Sequence, residues 1–361
     1  MAGSPVSICE DLSCWLEDAA SGLDAEPQAA PDLLPRLAAA GLLGLGVPRA
    51  SGGQGADLCA ALDAISAVSF HSLAAGFMFW GHRSYMELLV QSSNTALAAR
   101  ILPDLLAGRV AGAVGLSNAM KFLAGFEGLQ VVGRAEGPDL ILDGLLPWVT
   151  NLRPEGFHVA VALAGPPDCG LVVASLAQDD PGLERSRDLD LMGLKATHTA
   201  ALTLSGVRLP PDRILSREAA VWLAQVRPSF LGLQCGMSIG LARRALAEAR
   251  ALVTRGSHIL SEPLARAEAA LTRQDHALKE GLRSGAFKTQ PAALFAIRIA
   301  LAACVDEAVT LELQAKGGQA YLAGPGAGFA RRWREAAFIP VITPSLVQLK
   351  SVLAAAQQSA A

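Results

Sequence analysis

Paired cysteines are missing from this sequence. Its six cysteines (Cys9, Cys14, Cys59, Cys169, Cys235 and Cys304) form no CxxC pair, so neither a metal site nor a disulfide framework is expected, and small buried, reduced thiols are. A basic excess is missing too. With 30 Lys and Arg against 33 Asp and Glu the net charge is -3, and nucleic acid is not an expected partner, because a phosphate-tracking surface needs positive charge. No charge-free apolar run approaches the roughly 18 residues of a membrane span; the best local stretch, Leu73 to Trp80, is far too short. Glu10 and Asp11 sit where an export signal carries Lys or Arg. These absences predict a cytoplasmic protein without a membrane partner. Internal repeats are lacking as well, and the one low-complexity piece is the Ala-rich tail.

What is present is an apolar chain of 361 residues, 52% hydrophobic and 17% charged, long enough to bury large cores in two or three layers. Its periodicity changes twice. From about 32 to 106 apolar residues recur at helical spacing, as in Leu58-xxx-Leu62-xx-Ile65, with glycine and proline punctuation between Gly44 and Gly55. From about 112 to 215 short apolar runs bounded by Gly, Pro and Asp give a strand rhythm, as at Asp139-Leu-Ile-Leu-Asp and His158-Val-Ala-Val-Ala-Leu. Helical periodicity then returns, most clearly over 239–253 and 293–315. The expected division is an N-terminal helical domain (1–110), a central β domain (111–215) and a C-terminal helical bundle (216–361). Clefts at such junctions are where cofactors often sit. Long C-terminal apolar helices need cover from the N-terminal block and from a second subunit.

Several motifs then point one way. They are Gly46-Val-Pro-Arg-Ala-Ser-Gly52-Gly53-Gln-Gly55, Gly115-Leu116-Ser117-Asn118, and a turn at Asp143-Gly144 leading to Trp148-Val149-Thr150-Asn151. Further along come Met192-Gly193 to Thr197-His198-Thr199, Gln314-Ala-Lys-Gly317-Gly318, and Arg334-Glu335 ahead of Thr343-Pro344-Ser345 and Gln348. Together with the domain order, they resemble the acyl-CoA dehydrogenase family over nearly the whole chain, from about Leu33 to Leu353. The resemblance implies an α+β fold: an N-terminal helical domain, a small β-barrel or β-sandwich domain, and a C-terminal four-helix bundle. It implies an FAD-dependent oxidoreductase of CH–CH groups, acting on an acyl-CoA or acyl-carrier thioester, as a homodimer or homotetramer. Electron-transfer flavoprotein or oxygen would be the acceptor.

Carried over by position, Leu116 and Ser117 would contact the flavin by backbone or hydroxyl, and Trp148, Val149 and Thr150 would run along its ring. A hydroxyl and N–H groups suit a flavin edge, and an indole can stack on it. Arg255 would face the pyrophosphate, while Gln314, Gly317 and Gly318 would reach the FAD of a neighbouring subunit. Arg227 and Thr343 would belong to the substrate pocket. His198 is read mainly as a turn or surface histidine of the last β strands, and Arg334 with Glu335 as a buried structural pair.

The sequence departs from the family where the chemistry is sharpest. Thr343 stands where the family has its glutamate base, and the alternative position, before Arg227, holds Val226. Threonine is too weak a base to remove an α proton without an activating partner. Three readings stay open. Another group supplies the base, with Glu127 or His82 as the candidates. The chain is a flavin monooxygenase of the same fold, using reduced flavin and oxygen. Or it is a non-catalytic partner subunit of a two-chain dehydrogenase.

Overall fold

The structure, a computed structural model, describes residues 8–166, 170–253 and 255–360, with backbone alone at 255, 256, 359 and 360. Five helices come first: α1 (Glu10–Ala25), α2 (Leu33–Ala39), α3 (Leu58–His71), α4 (Leu73–Gln91) and α5 (Thr95–Leu106). Three start on side-chain caps, with Asp57, Ser72 and Asn94 accepting from Ala60 N, Ala75 N and Leu97 N. Each cap satisfies an otherwise orphaned amide of a first turn. Helix α4 is buried at every position from Leu73 to Leu89, so it is the axis on which the other elements pack. Helix α1, which carries Cys14, lies ahead of the stretch where helical spacing is read from the sequence. Cys9 and Cys14 are exposed, whereas Cys59, Cys235 and Cys304 are buried; Cys169 lies outside the described residues. Burial pushes the Cys59 thiol up to about 11 and Cys235 up to about 12, which keeps both in the unreactive protonated form.

The β region contains β1 (Ala111–Gly115), β2 (Val131–Glu136), β3 (Asp139–Val149), β4 (Phe157–Ala164), β5 (Leu171–Ala177), β6 (Leu183–Arg185), β7 (Ala200–Leu209) and β8 (Ile214–Ser216). Their order is β6-β7-β3-β2-β4-β5-β8, with β1 parallel to β4. A short helix, α6 (Ser117–Leu123), interrupts the strands. Asp143-Gly144, expected to be a turn, lies inside β3. A Cβ at Gly144 would stand 2.2 Å from Gln130 O, so the close approach of β2 accounts for the glycine. Register shifts on β7 between Leu142 and Asp143 and between Leu146 and Val149. The second irregularity holds Pro147, which has no N–H for a ladder. Beyond it Trp148 is 59% exposed while Val149 is fully buried.

The last third consists of α7 (Ala219–Leu252), α8 (Ser261–Ser284), α9 (Pro291–Lys316), α10 (Ala327–Phe338) and α11 (Leu346–Ala360). Helices α3 and α7 approach closely at glycine, since a Cβ at Gly240 would sit 2.2 Å from Ser66 O. Charged groups buried beside α10 are paired, as low dielectric demands. Glu335 accepts from Arg331 Nη1 at 2.9 Å and from Leu73 N at 3.1 Å. Arg334 instead bonds Asp24 of α1, with Nε 3.2 Å from Oδ2. The expected Arg334–Glu335 pair is therefore two separate pairs, because consecutive helical residues point to different neighbours. Burial raises the Glu335 carboxyl above its ordinary range despite Arg331.

Candidate active site

A cavity of about 550 Å³ opens where the three regions meet. Phe77, Trp80 and Gly81 of α4 form its floor, and Phe230 of α7 and Phe338 of α10 close the apolar side. The Phe77 and Trp80 rings stack at 5.6 Å with 9° between their planes. From the β region come Leu116, Ser117, Trp148 and Thr150, together with Met192, Thr197 and Thr199 of the segment before β7. Met120 and Lys121 of α6 line another side. Thr343, Ser345 and Gln348 complete the wall at the α10–α11 turn.

Backbone bonds hold these pieces in place. Asn151, at φ 66, donates its Nδ2 to Gly112 O at 2.8 Å and its amide to Thr197 O at 2.9 Å. The end of β3 is thereby tied to both β1 and the strand-7 approach. Behind Thr343 runs a buried brace. Arg298 Nε donates to Gln234 Oε1 at 2.9 Å, Arg298 Nη2 to Ile339 O at 2.7 Å, and Gln234 Nε2 to Thr343 O at 3.0 Å. Removing water from Arg298 is costly, and its pKa is pushed down by burial. What the brace achieves is a fixed backbone at the turn.

The anticipated site residues sort into groups. Leu116, Ser117, Trp148, Thr150 and Thr343 come together on the cavity. Val149 is beside them in sequence but points into the core. Arg227 is not on the wall. Its guanidinium stands 5.8 Å over the Phe295 ring of α9, half-buried, and burial lowers its pKa. It is expected in the substrate pocket but is not among the residues lining this cavity, its side chain lying along Phe295 instead. Gln314, Gly317 and Gly318 are exposed at the end of α9 and do not line the cavity. The side chain of Arg255 lies outside the described residues.

His82 is corrected as a base candidate. Trp80 and Gly81 line the cavity, but His82 faces the opposite way and is fully buried. Its Nε2–H donates to Leu105 O at 3.0 Å, and its Nδ1 accepts from Gly112 N at 3.0 Å. Both nitrogens are used, and burial pushes its pKa down to about 4. Glu127 does not line the cavity either. It accepts from Asn118 Nδ2 at 2.7 Å and pairs with Lys121 Nζ at 3.4 Å, so it stands one side chain behind the wall. His198 bonds Asp188 at 3.2 Å through Nδ1 and lies off the cavity. Burial lowers its pKa against the pull of Asp188. Among the lining residues none is Asp, Glu or His.

Sequence reasoning passed over Gln348, Thr199, Lys121 and the aromatic floor as site residues. Gln348 is 8% exposed, and its Nε2 has no hydrogen-bond partner among the described residues. A buried donor without a partner is costly unless a ligand accepts from it. The signal was present as Ser345-x-x-Gln348, a capping pattern, but nothing in it shows that one nitrogen is left over. Flat aromatic walls, an orphan amide donor and a threonine hydroxyl fit an isoalloxazine ring, which is planar and rimmed with acceptors and donors. The site as folded is compatible with a flavin.

Comparison with known proteins agrees with this geometry. The family model for "Acyl-CoA dehydrogenase, N-terminal domain" matches residues 16–109. A probable acyl-CoA dehydrogenase of Mycobacterium leprae is 27% identical over 240 residues, covering 64% of this chain and 60% of the relative. The dibenzothiophene monooxygenase of Mycolicibacterium goodii is 24% identical over 271 residues, covering 69% of this chain and 62% of the relative. The chain spans about 60% of the length of the mycobacterial relatives it matches. Among solved structures, the butyryl-CoA dehydrogenase of Megasphaera elsdenii superimposes with a TM-score of 0.81 at 18% identity, covering 99% of this chain and 100% of that one. That full-length match gives the fold: N-terminal helices, a central β domain and long C-terminal helices.

Proposed function

We propose that the chain is a member of the acyl-CoA dehydrogenase family, whose N-terminal-domain model matches residues 16–109, and that it is an FAD-dependent oxidoreductase acting on an acyl-CoA or acyl-carrier thioester. The observation that carries the reading is the cavity itself, built between Trp148 and Thr150 on one side and the Thr343 turn with Gln348 on the other. FAD is the cofactor of this family, and when bound it supplies a hydride acceptor. Trp148 would cover one face of the ring, and Gln348 Nε2 would donate to a carbonyl of the cofactor or the thioester. The stacked pair of Phe77 and Trp80, with Phe230 and Phe338, would hold an acyl chain and keep water out. Gln314, Gly317 and Gly318 would meet the cofactor of a second subunit in a homodimer or homotetramer. Electrons would pass to an electron-transfer flavoprotein or to oxygen.

The α proton needs an acceptor other than Thr343. Glu127 is our candidate, a carboxylate held against a lining residue, Lys121. Lys121 would hold the carboxylate in place and move with it when the Ser117–Leu123 helix adjusts to a ligand. Substituting Glu127→Gln removes the base and keeps one of its two bonds, since the amide oxygen accepts from Asn118 Nδ2 while its NH2 cannot accept from Lys121 Nζ. Such a variant should bind FAD as before and lose bleaching of the flavin by acyl thioesters under argon by about 100-fold or more. Bleaching at the wild-type rate would remove Glu127 from the reaction.

A second reading is favoured by the cavity wall, which offers no carboxylate or imidazole. A reaction of reduced flavin with oxygen asks for no α-proton base, and one relative is a monooxygenase by its own description. Oxygenated product from chemically reduced protein, with no anaerobic bleaching by any thioester, would select this reading over dehydrogenation.

A further inference from the structure

Three threonine hydroxyls run in an unbroken line from the cavity wall to a backbone carbonyl. Thr150 Oγ1 lies 3.0 Å from Thr199 Oγ1, which lies 2.9 Å from Thr197 Oγ1. Thr197 Oγ1 then donates to Leu194 O at 2.8 Å. All three line the cavity, with Thr197 fully buried, Thr199 nearly so and Thr150 half-buried. A hydroxyl owns one proton and two lone pairs. A carbonyl only accepts, so the Thr197 proton is committed to Leu194 O. Thr199 must then donate to Thr197, and Thr150 to Thr199. Every proton is thus committed within the line, and Thr150 offers the cavity lone pairs alone.

We infer that this hydroxyl line sets the hydrogen-bond polarity of the cavity wall at Thr150, making it an acceptor that selects an N–H donor on the ligand. The inference rests on the flavin site proposed above. Two-electron reduction turns a ring nitrogen of isoalloxazine from a lone-pair acceptor into an N–H donor. An acceptor at Thr150 therefore holds the reduced ring more tightly than the oxidised one, and raises the midpoint potential of the bound cofactor. To suit the oxidised ring, all three hydroxyls would have to turn round. Thr150 would donate into the cavity, Thr199 to Thr150 and Thr197 to Thr199, and Leu194 O would keep only the amide of Thr197, now at 3.1 Å. No proton enters or leaves the line in this rotation; the electrons and protons of reduction come from the reductant. Thr197 and Thr199 are thus positioning residues, acting through Thr150.

Spectroelectrochemical titration of the full chain loaded with FAD tests this. Thr197→Val removes the acceptor that Thr199 uses, so Thr199 turns to Thr150 and Thr150 donates into the cavity. The preference for reduced over oxidised FAD should fall about tenfold, which is a midpoint roughly 30 mV more negative for a two-electron couple. Thr197→Ser should restore the wild-type midpoint, which loss of packing alone would not predict. Thr199→Val, cutting the line one place nearer Thr150, should move the midpoint in the same direction and serves if the first variant fails to fold. An unchanged or higher midpoint in the valine variants would overturn the inference while leaving the functional reading intact. Wild-type protein that takes up no FAD would overturn both, and the two failures are told apart by the absorption spectrum before any titration.

Discussion

Ser345 and Gln348 bond each other at the start of α11: Ser345 N donates to Gln348 Oε1 at 2.6 Å, and Gln348 N donates to Ser345 Oγ at 3.3 Å. This reciprocal box anchors the helix with one end of the amide and leaves the other, Nε2, buried against the cavity. Gln348→Glu separates the two roles. The carboxylate still accepts from Ser345 N, and negative charge at a helix N-terminus is favourable. Thermal stability should therefore hold or rise, whereas FAD affinity should drop at least several-fold, about the worth of one hydrogen bond plus repulsion of a ring carbonyl. Equilibrium dialysis and a melting curve on the same sample check both halves. His82 gives a pH prediction. Its folded pKa, about 4, lies below the ordinary 6.5, so the unfolded chain takes up the proton first. Stability is then complete above about pH 6.5 and falls as pH drops toward 4, by something on the order of 3 kcal/mol. His82→Gln should flatten that part of the urea-denaturation profile, and an equally steep profile in the variant would assign the slope elsewhere. At this scale the sequence was legible where chemistry follows from residue type. Trp148, Thr150 and Thr343 were read from motif position and do meet at one cavity. His82 and the Arg334–Glu335 pair were misread because adjacent residues on a helix face different ways, and only packing decides which face meets what.

Helices α3 and α7 cross at glycine, and the sign of a substitution there can be worked out from two magnitudes. Alanine is a better helix former than glycine by about 1 kcal/mol. Its Cβ at 240, however, would lie 2.2 Å from the Ser66 carbonyl, which is backbone and cannot swing aside. Overpacking of that kind costs about 1–3 kcal/mol, so Gly240→Ala should lower the denaturation midpoint despite its higher propensity. A midpoint equal to wild type would show that the helices can separate without cost. Most elements were visible in the periodicity. The runs at 139–143 and 158–163 fall in β3 and β4, and the helical stretches at 239–253 and 293–315 fall in α7 and α9. What escaped was set by competing local signals. Asp143-Gly144 carries turn chemistry, but pairing with β2 and β7 on both sides keeps it in a strand. Helix α6 was hidden inside a strand-like region, and α1 within a terminus with no strong punctuation.

Across the whole molecule, the candidate site lies where three separately patterned blocks touch. The buried α4 supplies the aromatic floor, the β region the hydroxyl wall, and the α10–α11 turn the orphan amide. The order helical, strand, helical was plain in the sequence, because each period reflects burial of one face. The cavity was not, since it depends on how blocks meet and on side chains tens to hundreds of residues apart. The apolar stretch 327–358 was likewise passed over: an 18-residue window within it reaches a mean hydropathy of 1.5, with 28% of that window buried. Here it is folded as α10 and α11 with the site-forming turn between them. The central claim is that this junction holds FAD. The most direct measurement is the visible absorption spectrum of the purified full-length chain after incubation with FAD and removal of the excess, followed by identification of what denaturation releases. Flavin bands that travel with the protein, with FAD released, are the predicted result. A colourless protein that retains no added FAD would contradict the account.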